Sequence, residues 1–145
     1  MRIIAVGASA VSALGPSLDR TFAALVAGRS SVAGGTPTPG FAPAPAAALA
    51  VQAARALAAR LPAVPPRRRA LCLGMSAVPS ADPDGADLQG ETADALLAAL
   101  DIRGEVRFAR TSCAASATAV AQAMDLLASG AADLVIAGGA DGASG

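Results

Sequence analysis

The sequence predicts an α/β fold, a mainly parallel sheet with helices on both faces. Short apolar runs suited to strands recur along the chain, the stretches between them carry helical spacing, and the two kinds of segment alternate. With 145 residues and 54% hydrophobic composition, the chain reads as one domain able to bury a core.

Residues 2–7 (RIIAVG) form a short apolar run with β-branched residues, closed by glycine, and read as a buried strand. After the turn SALGPS, Pro16 stands where a helix can start. SLDRTFAALVAG then places Leu18, Phe22, Leu25 and Val26 on one face, with Gly28 as the stop. Residues 30–45 are rich in Gly, Pro, Ser and Thr and read as a loop. Residues 46–61 return to helix, with Leu49, Ala53, Leu57 and Leu61 at four-residue intervals, and RALCLGM (69–75) reads as a second strand.

A loop follows, holding Asp82, Asp84 and Asp87. Its spacing misses that of a calcium-binding EF-hand loop, so turn chemistry accounts for the aspartates. Residues 92–100 suit a short helix, and 105–110 (EVRFAR) alternate as a strand, with Val106 and Phe108 on one face. The next helix runs to Gly130, its stripe of Val120, Met124 and Leu127 expected in the core. DLVIA (133–137) is a last apolar strand.

The composition excludes several functions. Formal net charge is zero, and Phe22, Phe41 and Phe108 are the only aromatics, so neither a basic face nor a set of stacking rings is present for nucleic acid. The basic cluster Arg67, Arg68 and Arg69 reads as a solvated strand entry, with docking of an acidic partner as the lesser reading. No histidine is present, and with two cysteines neither a zinc set nor a disulfide framework is expected, nor any metal or cofactor. Cys72, inside ALCLGM, reads as a buried structural thiol, and a reduced, cytoplasmic compartment fits. The opening residues have some features of a secretion signal, but their apolar stretch is short and leads into a helix pattern. No stretch approaches a membrane span.

Cys113 is the residue to which chemistry points. Thr111 and Ser112 separate the strand EVRFAR from the helix, so the thiol falls at or next to a helix N-cap. Backbone amides there lack partners and the helix dipole is positive, which favours thiolate, the nucleophilic form. The same amides can donate to a developing oxyanion. The bland alternative is a small buried residue at a helix start. A Cys-His or Ser-His-Asp enzyme complete within this chain is excluded by the missing histidine.

Three segments together resemble the N-terminal half of a β-ketoacyl synthase, a condensing enzyme of the thiolase fold. They are IIAVGASAVSALGPSLDRTFAALVAGRSSV, the pair AAALAVQAARALAARL and RRRALCLGMSAV, and the block RTSCAASATAVAQAMDLLASGAADLVIAGGAD, which is the most specific. The resemblance implies most of one half of an αβαβα fold, residues 1–145 forming a shortened N-terminal-like domain, incomplete at its C-terminus. It implies Cys113 as the catalytic nucleophile, taking an acyl group from an acyl carrier protein or coenzyme A thioester. Thr111 matches the family's threonine before the cysteine, in a region that lies at the dimer interface there. Gly138 and Gly139 match strand-end glycines expected at close backbone approaches.

The family's histidines, which act on the malonyl donor, belong to a half not present in this sequence. The resemblance therefore implies a chain inactive alone, paired as a homodimer or with a complementing synthase subunit. Fatty-acid or polyketide-type synthesis is the expected setting. A non-catalytic thiolase-like scaffold or accessory protein is the alternative.

Overall fold

A computed structural model describes residues 2–30, 45–76 and 87–141. Its helices are α1 (Leu18–Val26), α2 (Ala46–Ala58), α3 (Leu88–Leu100) and α4 (Ala115–Ala128), and its strands β1 (Arg69–Gly74), β2 (Val106–Ala109) and β3 (Leu134–Gly139). The three strands form one parallel sheet in the order β2-β1-β3. Parallel strands need crossovers, and α3 and α4 supply them.

Alternation along β1 divides the core in two. Leu71 and Leu73 face α2 and α3, packing with Ala54, Leu96 and Leu100. Ala70 and Cys72 face the other way, where Ala119, Ala123 and Leu126 of α4 cover them. Helices on both faces of a parallel sheet are the α/β arrangement that the alternating pattern predicts.

Local chemistry explains the element ends. Ser17 caps α1 by accepting from Arg20 N, and Gly28, at φ 70°, closes it in a left-handed turn. Asp87 caps α3 by accepting from Gly90 N at 3.0 Å, so the helix starts at Leu88, before the expected Thr92. The turn-chemistry reading thus holds for Asp87, while Asp82 and Asp84 lie outside the described residues. The arginine cluster is more engaged than a solvated entry. Arg69 donates to Val64 O and Leu100 O, and Arg68 donates to both carboxylate oxygens of Asp133 and to Gly130 O. The guanidinium of Arg68 holds the Asp133 carboxyl below its usual range. These bonds tie the start of β1 to the turn before β3.

Three expectations need correction. Residues 2–7 are not a strand in this structure: they make no backbone hydrogen bond to the described residues, and Ile4 and Val6 are exposed. They line, with residues 134–137 of β3, an open groove of about 630 Å³. An apolar run shows that a segment favours burial, but a strand also needs an edge within hydrogen-bonding reach. α1 forms as expected, yet Phe22, Leu25 and Val26 stay exposed. On α4, Val120 and Met124 are 48% and 53% exposed, because the helix turns its alanine line, Ala115, Ala119 and Ala123, to the sheet. Among the described residues no helix is long and apolar enough to cross a membrane.

Candidate functional site

Between the end of β2 and the start of α4 the chain turns through a short 3₁₀ segment, Ser112–Ala114, with Cys113 at its centre. Cys113 therefore precedes α4 by two residues, next to its N-cap, Ala114. Ser112 adopts φ 52°, a left-handed conformation uncommon for a residue with a side chain and costing roughly 1 kcal/mol. Cys113 follows this bend and is exposed.

Hydrogen bonds hold the bend. Ala114 N donates to Thr111 O at 3.1 Å. The Thr118 hydroxyl donates to Ala114 O at 3.0 Å, which leaves its oxygen to accept from Thr111 Oγ1 at 2.8 Å. Thr111 and Thr118 thus brace the turn from both sides. The resemblance singled out Thr111 but gave no role to Thr118. Its only sequence signal is a hydroxyl four residues after Ala114, the back-bonding position of a first helical turn. The Cys113 N–H makes no backbone hydrogen bond among the described residues and is free to donate to a ligand.

The second thiol has the opposite surroundings. Cys72 is fully buried beneath α4, and burial pushes its pKa up, with Arg107 opposing that shift. The reading of Cys72 as a structural thiol agrees with this placement.

The two strand-end glycines separate. A Cβ at Gly139 would collide with Ser116 Oγ, whereas a Cβ at Gly138 would meet nothing within 4 Å. Close approach thus accounts for Gly139 and not for Gly138. Beside them, Asp141 accepts from both the N–H and hydroxyl of Ser76, joining the segments that follow β1 and β3. Cys113 lines neither the groove along β3 nor a second groove of about 260 Å³ between α2 and the sheet. No group of three or more metal-ligating side chains occurs among the described residues.

The arrangement presents a sulfur on open surface, with an N–H in the same residue that makes no backbone hydrogen bond among the described residues and a helix directly behind it. Chemically it suits attack on a carbonyl carbon brought by another molecule. Residues 90–145 match the family model of the beta-ketoacyl synthase N-terminal domain. The match takes in α3 from its third residue, β2, the Cys113 turn, α4 and β3; residues 1–89 lie outside it. No curated protein and no solved structure matches the chain.

Proposed function

We propose that this chain, whose residues 90–145 match the model of the beta-ketoacyl synthase N-terminal domain, supplies the cysteine nucleophile for acyl-thioester condensation in fatty-acid or polyketide-type synthesis. One observation carries the reading: Cys113 is exposed at a left-handed bend heading a helix, inside the matched residues.

In the first step Cys113 Sγ attacks the carbonyl carbon of an acyl thioester. The bond to the carrier sulfur breaks, and the carrier thiol leaves with the proton that Cys113 gave up. Donation from the free Cys113 N–H would stabilise the tetrahedral oxyanion. In the second step a malonyl thioester loses carbon dioxide, its carbon attacks the acyl group on Cys113, and the thiol is regenerated. That step calls for an acid or base beside the donor, and the sequence holds no histidine to serve. A complementing synthase subunit is the partner that brings those groups; a homodimer of this chain, equally without histidine, does not supply them. The carrier of the acyl group is an acyl carrier protein or coenzyme A. A cytoplasmic setting suits two free thiols.

A non-catalytic scaffold is the second reading, favoured by one observation: neither groove reaches Cys113, so no acyl pocket is formed beside it by the grooves described.

Exposing the pure chain to an acyl-coenzyme A together with a malonyl thioester tests both steps. Peptide mapping should find the acyl mass on Cys113, with no β-ketoacyl product. Absence of the adduct supports the scaffold, and product from the pure chain would show that no partner is needed.

A further inference from the structure

Where the sheet ends, the residues facing α4 are Ala109, Gly74 and Gly139, side by side in register on β2, β1 and β3. The row is small because the helix sits directly on it. A Cβ built on Gly74 would stand 2.7 Å from Ser116 N, and closer still to the carbonyl carbon and oxygen of Ala115. All three are backbone atoms of the first turn of α4, so no side-chain rotation relieves the contact. Gly74 has no left-handed φ, and space accounts for the glycine where conformation does not.

We propose that Gly74, with Gly139 beside it, is a positioning residue for Cys113. The missing side chains let the first turn of α4 rest on the strand tips, and that height sets where the Cys113 sulfur and N–H stand. The inference rests on the reading of Cys113 as the acyl-accepting nucleophile. Carbon atoms in contact settle at about 3.5–4.0 Å, so a methyl group at Gly74 must lift the turn by on the order of 1 Å. A displacement of that size costs about 100-fold where a reacting atom must be aligned.

The Gly74→Ala variant is tested by two reactions at the same sulfur. Loading from an acyl thioester should fall about 100-fold, because attack needs sulfur and oxyanion donor in register. Labelling of Cys113 by iodoacetamide, which needs only an exposed sulfur, should change by less than about 3-fold, with Cys72 still protected. A general loss of structure would instead expose Cys72. Should Gly74→Ala unfold in that way, a second pair of variants decides. Gly139→Ala places its methyl against Ser116 Oγ, and Ser116→Ala removes that atom, though the methyl still stands 2.9 Å from Gly74 O and 3.2 Å from Ser116 Cβ. Loading should drop in the single variant and recover in part in the double one, since the closest of the three contacts is gone.

Unchanged loading in a folded Gly74→Ala chain overturns the proposal, as does a double variant that gains nothing over the single one. Amide NMR keeps this result separate from the nucleophile reading. If the wild-type chain takes up no acyl group, the nucleophile reading falls by itself. Shifts in Gly74→Ala that reach residues 112–118, beyond the neighbours of Gly74 in the sheet, would still support the positioning, and their absence would end it.

Discussion

Replacing Cys113 by alanine should leave a folded chain that takes up no acyl group, a loss of roughly 10³-fold or more in loading rate. The side chain is exposed, so its truncation should change stability by no more than about 0.5 kcal/mol. Cys72 cannot take over, since its thiol is sealed beneath α4 and burial holds it in the protonated form. Serine should fail as completely as alanine. A hydroxyl needs a neighbouring base to act as nucleophile, and the chain has no histidine to provide one. Intact mass after incubation with an acyl thioester, alongside thermal unfolding, checks both variants. Acylation persisting in Cys113→Ala would move the nucleophile elsewhere.

The second large effect is on stability. Leu126 is fully buried, and among the described residues the other buried members of the core layer between α4 and the sheet are alanines and Cys72, with Val135 packed against them partly buried. In such a layer small residues set the close spacing, and one leucine supplies most of the apolar area. Leu126→Ala should therefore cost about 3–5 kcal/mol, because helix and sheet already touch through alanines and cannot collapse further to fill the space. Against a total of about 5–15 kcal/mol for a domain, that is a large fraction. Denaturant unfolding should show the loss, with Cys72 becoming open to labelling. A change below about 1 kcal/mol would mean that α4 does not dock through this residue.

The sequence made some of these features legible and hid others for physical reasons. Periodicity and end signals located the four helices of the described residues, because Pro16, Gly28 and Gly130 act within a few residues of chain, while the Ser17 cap was not singled out. β1 and β3 were legible as apolar runs, buried by helices over the sheet. Which face of a helix is buried was harder to read. On α4 the large residues Val120 and Met124 formed the obvious stripe, but the sheet receives the alanines, since the row of Gly74, Gly139 and Ala109 admits only a close-lying helix. Pairing was harder again: residues 2–7 have the composition of a strand without an edge in reach. At the site, Cys113 stood out because a thiol at a helix start is chemically distinctive. The left-handed bend at Ser112 and the brace from Thr118 did not, since both depend on how a strand and a helix meet in space.

The contrast between the two thiols is the foundation of the account, and competitive labelling measures it directly. Brief treatment of the native chain with iodoacetamide, followed by peptide mapping, should modify Cys113 at least ~100-fold faster than Cys72, since Cys72 reacts only through an opening of the core. The ratio should collapse toward one in denaturant. Comparable native rates, or Cys72 reacting first, would contradict the claim that the fold presents one sulfur and buries the other.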